Sequence, residues 1–254
     1  MRFMTVAVLI SLLFASSALA TPDEYANIHT VAIVSAFGGK MNLQTVGVTV
    51  FGNSSNQLDL SGTIDTTVTA RIASMISGRF SIKPSPLDAS FFETMTEEDR
   101  VPNALQAKIL ARPDPDIDAY IVVVTGHQTF MGQTNDGLGL MHSTGLFGKS
   151  DNLFYANYAV VVIDAKDSHI IAWSHGRSND GNPHTGFVIA ICDKSIWPEQ
   201  PSAAISSIDA FRTELNALVL DGLPHALSSV GLLTNAAPQS DPVPDIPQCH
   251  LYRS

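Results

Sequence analysis

The segment HSTGLFGKSD, residues 142–151, ends in Gly148-Lys149-Ser150, the closing tripeptide of a phosphate-binding loop. Such a loop runs Gly-x-x-x-x-Gly-Lys-Ser/Thr between a strand and a helix, so that backbone amides and the lysine converge on phosphate oxygens. Ser143 stands where the first glycine belongs. Leu153 to Ile163, which follow, are rich in Val and Tyr and predict a strand, not a helix N-terminus. No nucleotide is therefore expected as a ligand, and 132–150 is read as a glycine-rich edge segment.

Histidine carries the next possibilities. His127 follows an apolar run that ends at Gly126, the place where α/β sheets set ligand-contacting residues. With Asp164 or His175 as its partner, His127 would form the general base of a hydrolase. His127, His142, His175 and His184 form the candidate set for a metal-binding protein. The spacing supports neither strongly: there is no H-x-x-x-H or H-E-x-x-H, no G-x-S-x-G and no calcium-loop pattern. His169, Ile171, Trp173 and His175 alternate along one run and are expected on one strand face. Asp164 precedes a turn and is expected to hydrogen-bond its own backbone. His127, His142, Trp173 and His175 are thus candidates for a binding surface; no catalytic residue, metal or cofactor is assigned.

Those residues need a scaffold. Val31 to Phe37 and Val46 to Phe51 are short apolar runs separated by glycines and read as a strand pair. Ile64, Val68, Ile72, Met75 and Ile76 recur at helical spacing, begun near Asp65 and stopped at Gly78. Residues 80–86 predict a short strand, and Ala104 to Leu110 a second helix closed by Arg112-Pro113. Asp118 to Gly126 (DAYIVVVTG) is a central strand covered on both faces. LFYANYAVVVID and SHIIAWSH form a hairpin turning at 165–167. Ile208, Phe211, Leu215 and Leu218 mark a final helix capped by Ser206 or Ser207, which Gly222 and Pro224 are expected to break or kink before a last short helix. The fold class is α/β (α+β): one domain with a mixed β-sheet flanked by helices.

Residues 1–20 combine Arg2, an apolar run and Ala18-x-Ala20, and are expected to be a secretory signal peptide. A domain over 21–235 and a Pro-rich tail over 236–254 follow. Fourteen Lys and Arg face 24 Asp and Glu, a formal charge of −10, and this acidic balance argues against nucleic acid as a partner. Nothing beyond the leader approaches the length of a transmembrane anchor. Cys192 and Cys249, in an exported chain, are expected to pair and to tie the tail to the domain.

DAYIVVVTG followed by YANYAVVVIDAKDSHIIAWS (155–174) resembles, in element order over about residues 29–232, several exported bacterial α/β domains. These are the periplasmic part of curli secretion channels, the N-terminal domain of the Tol translocation protein, and lipoprotein activators of penicillin-binding proteins. Asp118-Ala119-Tyr120 and Val162-Ile163-Asp164 carry the likeness. VAIVSAFGG with VGVTVFGN is similar to uncharacterised exported proteobacterial proteins. The resemblance implies a non-catalytic binding or assembly module of the cell envelope, periplasmic or secreted, with an unknown protein or small-molecule partner. No cysteine stands directly after the leader, so the lipid tether of the lipoprotein members is not carried over.

Overall fold

The computed structural model describes residues 22–92, 114–130, 133–144, 150–176, 188–193, 196–198, 207–233 and 249–251. The expected leader, the helix over 104–110, the turn segment 178–186 with His184, and the tail over 236–248 lie outside the described residues. Thirteen strands and two α-helices are described, arranged as a mixed α/β domain.

Five strands make the first sheet: β1 (Thr30–Ala36), β4 (Ser81–Lys83), β5 (Ala119–Thr125), β10 (Tyr158–Asp164) and β11 (Ile170–His175), in the order β11-β10-β5-β1-β4. β1 pairs in parallel with β4 and β5, while β10 runs antiparallel to β5 and β11. The centre consists of β1, β5 and β10, all continuous apolar runs, because both of their faces are covered. The second sheet holds β2 (Lys40–Val46), β3 (Ser54–Asp59), β8 (Leu138–Thr144), β9 (Ser150–Ala156), β12 (Val188–Cys192) and β13 (Cys249–Leu251), in the order β13-β12-β9-β8-β2-β3. A small hairpin, β6 (His127–Phe130) with β7 (Gln133–Asp136), stands between β5 and β8.

The two sheets meet along a seam closed by three backbone hydrogen bonds. Gly126 N–H donates to Asn157 O (2.9 Å), Asn157 N–H to Gly137 O (2.7 Å), and Gly137 N–H to Gly126 O (3.2 Å). Glycine is required at Gly126, since a Cβ there would lie 2.2 Å from Asn157 Oδ1. Gly137 adopts φ +58°, the left-handed region that glycine enters without cost. Asn157 is fully buried and donates through Nδ2 to Asn135 O at 2.6 Å.

Both helices lie over one continuous apolar core to which both sheets contribute. α1 (Asp65–Ile76) buries Val68, Ile72 and Ile76, one stripe at helical spacing. Each such side chain is worth roughly 1.5–3 kcal/mol of transfer free energy. Its N-terminus is fixed by the Asp65 carboxylate, which accepts hydrogen bonds from Ser35 Oγ, the Phe37 and Gly38 amides, and Thr63 Oγ1. That carboxylate also ties the β1–β2 turn to the helix. α2 (Ile208–Ser229) packs Phe211, Leu215, Leu218, Val219, Leu223, Ala226 and Leu227 on the same core.

Several expectations are corrected here. Val46 to Phe51 is not a strand: β2 ends at Val46, residues 50–52 form a 3-10 turn, and β2 pairs with β3. The reason lies in Gly47 and Gly52, whose backbones nearly touch, and in Asn53 Oδ1, which accepts the Gly47 N–H at 3.0 Å. LFYANYAVVVID is two strands, not one, split at Asn157 and shared between the sheets. The expected break at Gly222 and Pro224 is absent: one helix spans Ile208–Ser229. Burial of Gly222, Leu223, Pro224, Ala226 and Leu227 holds it together despite the missing proline donor. The buried Tyr158 hydroxyl adds a 2.8 Å bond to Val219 O. Ser207 sits at the helix start, but its side chain makes no capping bond. Val188–Cys192, for which no element is expected from the sequence, forms β12.

Cys192 and Cys249 form a disulfide and stand directly opposite each other in the β12–β13 pair. The tail thus returns to the body as a sheet strand.

Candidate functional site

The Gly-Lys-Ser question is answered by the flanking strands. β8 and β9 pair antiparallel from Leu138↔Ala156 to Thr144↔Ser150, so residues 145–149, themselves outside the described residues, connect the two arms of a hairpin. Ser150 opens a strand. A phosphate loop would need a helix there, whose amides point at the anion.

Register separates the candidate side chains. Asp164 lies opposite Ala119, at the start of β5, whereas His127 follows the end of β5; seven strand residues put them about 20 Å apart. The proposed His127–Asp164 base is not assembled. Asp164 is a turn residue: its Oδ1 accepts the Lys166 amide at 2.7 Å and the Asp167 amide at 3.3 Å. It also borders a cavity of about 560 Å³ with Glu24, Asp114, Asp118 and Lys166, at the end of the sheet remote from His127. His175 lies opposite Ala159, which faces Val124, so it sits two strand spacings, about 10 Å, to the side of β5. Its ring packs edge-on against Trp173, with centroids 5.2 Å apart. The expected common face of His169, Ile171, Trp173 and His175 is interrupted. A register shift in the β10–β11 pair sends Ile171 to the helix-covered core and Trp173 to the opposite face. His169 belongs to the turn, its Nδ1 2.6 Å from Asp167 Oδ1.

His142 is held elsewhere. It lies on β8 about 17 Å from the seam, with Nδ1 2.7 Å from Asn152 Oδ1 and its ring 5.1 Å from that of Trp197. Asn152 in turn donates to Asp193 O at 3.0 Å. A metal site on His127, His142 and His175 is therefore not formed. Among the described residues the one group of three possible ligands is Asp164, Asp167 and His169, whose ligand atoms lie within 4.8 Å of one another. Hydrogen bonds from the His169 side chain and backbone hold the Asp167 carboxyl below its usual range. These contacts build the turn itself.

The structure brings together a group that the sequence reading did not assign. His127 and Asp136 are cross-strand partners in the β6–β7 hairpin, with Nδ1 2.6 Å from Oδ1. β2 supports the hairpin through its polar face: Asn42 Nδ2 donates to Asp136 O (2.8 Å) and Gln44 Nε2 to Thr134 O (2.7 Å). Beneath lies Tyr155, whose ring covers Gly139, where a Cβ would meet ring carbon at 2.2 Å. Burial pushes the Tyr155 hydroxyl well above the ordinary tyrosine range; a hydrogen bond with Asn42 opposes this and the Asp136 charge adds to it. The tyrosine stays a neutral hydrogen-bonding group at any ordinary pH.

Asp136 also lines a cavity of about 430 Å³ beside the seam. Phe37, Gly38 and Gly39 of the β1–β2 turn, Lys40 and Asn42 of β2, and Gln57 of β3 form its other walls. One cation, one carboxylate and two amides thus surround a space with an apolar floor. The signal available beforehand was slight: Asn42 and Gln44 alternate in MNLQTV, a polar face on a strand whose other face is Met41 and Leu43.

No protein-family model matches this chain, and no curated protein matches it. Among the described residues no helix is long and apolar enough to cross a membrane.

Proposed function

We propose that this chain is an exported, non-catalytic binding or assembly module of the bacterial cell envelope, working in the periplasm or outside the cell. The observation that carries the reading is the cavity at the seam, where Lys40, Asn42, Gln57 and Asp136 offer both charges and amide donors above Phe37 and Leu138. Sites for polar ligands or peptide segments have this make-up: an apolar floor with a few converging polar groups. The disulfide agrees with an oxidising compartment, as does the leader-like opening of the sequence. The test is in-cell photocrosslinking from position 40, with position 83 on β4 as the control. A discrete adduct from position 40 alone supports the reading; equal or absent labelling at both positions refutes it.

A second reading is favoured by one contact. The 2.6 Å pair of His127 with Asp136 is the arrangement of an oriented general base, and would serve a hydrolase in which Asp136 takes the place expected of Asp164 or His175. Both side chains are substantially exposed, and His127 does not line the cavity. Turnover of an ester, amide or phosphoester panel that disappears in His127→Gln would establish this reading over the first.

A further inference from the structure

Two sheets have four edges, and natural proteins blunt such edges with short strands, charges, prolines or bulges. Three of the four here are blunted. β4 is three residues long and followed by Pro84, β13 is three residues long, and β11 carries the register shift at Val162/Ile163. The fourth, β3, is blunted only at its last residue, the exposed Asp59, and is bare from Ser54 to Leu58. It is six residues long, its register with β2 is unbroken from Lys40↔Asp59 to Thr45↔Ser54, and it contains no proline. No charged residue occurs between Lys40 and Asp59. Asn56 and Gln57 are exposed at its middle, and among the described residues no strand pairs with its outer side.

The turn that feeds β3 carries the second observation. Phe51 is 95% exposed and Val48 is 55% exposed, the two large apolar side chains among the described residues that face solvent. The Gly47–Gly52 contact and the Asn53 bond to Gly47 fix the turn, so Phe51 is held outward as a projection. At the other end of the same hairpin, Gly38, Gly39, Lys40 and Gln57 open the 430 Å³ cavity. Projection and cavity therefore stand at opposite ends of one unprotected edge.

We propose that β3 is the pairing edge for a second copy of this chain, and that each Phe51 seats at the other copy's cavity. Antiparallel pairing about a two-fold axis is self-complementary, so one patch serves both partners. An axis at Asn56 or Gln57 sets Ser54 opposite residue 58 or 60 of the second copy, and the turn that carries Phe51 then runs on toward that copy's Gly38–Gly39 turn, to which Leu60 is bonded through Gly39 O at 2.7 Å. The uncharged hairpin matters for electrostatics: it lets two acidic chains meet without setting like charges side by side. The proposal rests on the cavity being a binding surface and names its occupant.

Sedimentation velocity over a micromolar concentration series tests it on the purified disulfide-bonded protein. The wild type is expected to dimerise. Phe51→Ser, at a side chain already in solvent, should weaken the dimer about a hundredfold or more, because the two-fold interface loses two apolar anchors, one from each copy. Asn56→Lys should do likewise by charging the edge, while Ser81→Lys, at an exposed position on β4, should leave the dimer unchanged. Far-UV circular dichroism unaltered in all three variants excludes misfolding as the cause. A wild type that remains monomeric overturns the proposal, as does a dimer indifferent to Phe51→Ser and Asn56→Lys. A monomer that still yields a discrete crosslink from position 40 removes the self-pairing and leaves the binding-module reading standing; a monomer without the crosslink removes both.

Discussion

The disulfide offers the sharpest test of how the tail is held. Cys192 and Cys249 are 57 residues apart in sequence and directly opposite in the β12–β13 register. Closing a loop of that length in the unfolded chain removes conformational entropy worth about 4 kcal/mol at room temperature. The β13 strand returns little on its own, since its pairing with β12 spans three residues. Replacing both cysteines, which are buried in the same core as the helices, by serine should therefore lower the unfolding free energy by at least a large part of that 4 kcal/mol. Equilibrium urea unfolding, followed by fluorescence and circular dichroism together, measures it. The midpoint should fall, and the slope should rise somewhat, because the denatured chain without its crosslink exposes more surface. Reduction of the wild type should reproduce the double variant. A loss below about 1 kcal/mol, with an unchanged slope, would show that the stabilisation does not reside in the unfolded chain, and the entropy argument would have to be abandoned.

Two further outcomes are expected. Gly139→Ala forces a methyl group to within 2.2 Å of the Tyr155 ring and should cost about 1–3 kcal/mol in the same unfolding assay; pairing it with Tyr155→Leu, which clears the space, should recover part of the loss. Glu214, buried on α2, has its carboxyl pushed up to about 7 by desolvation, so the folded state holds a proton that the unfolded chain releases nearer its ordinary value of 4.5. Its contribution to stability is fully present below about 4.5 and is lost as the pH rises to about 7. Glu214→Gln should flatten the fall in melting temperature over that window; an identical pH profile in the variant would refute the assignment.

Much of the framework is visible in local pattern. β5 is a continuous apolar run because both of its faces are covered, and α1 announces itself by Val68, Ile72 and Ile76. The turn at 165–167 is set by the side-chain chemistry of Asp164, a strictly local effect. What stays hidden depends on partners distant in sequence. Nothing in YANYA marks Asn157 as a division between sheets; it becomes one because Gly126 and Gly137 arrive there to complete its hydrogen bonds. Pro224 reads as a breaker because propensity is local, whereas the burial that overrides it comes from strands far away in the chain. The His127–Asp136 pair escapes because the choice of partner for a histidine follows from hairpin register, and residues 127 to 136 carry no strong hairpin pattern.

The ring of amides at Gly126, Gly137 and Asn157 has a bearing on how this chain can come apart. β9 passes into β10 through a single residue, and the chain also crosses between the sheets after β1 and, by way of the small hairpin, after β5. Either sheet deprived of the other would be a set of severed strand ends. Loosening on one side should therefore be felt at once on the other, and amides of β1 and β8 should exchange with solvent as members of one cooperative unit.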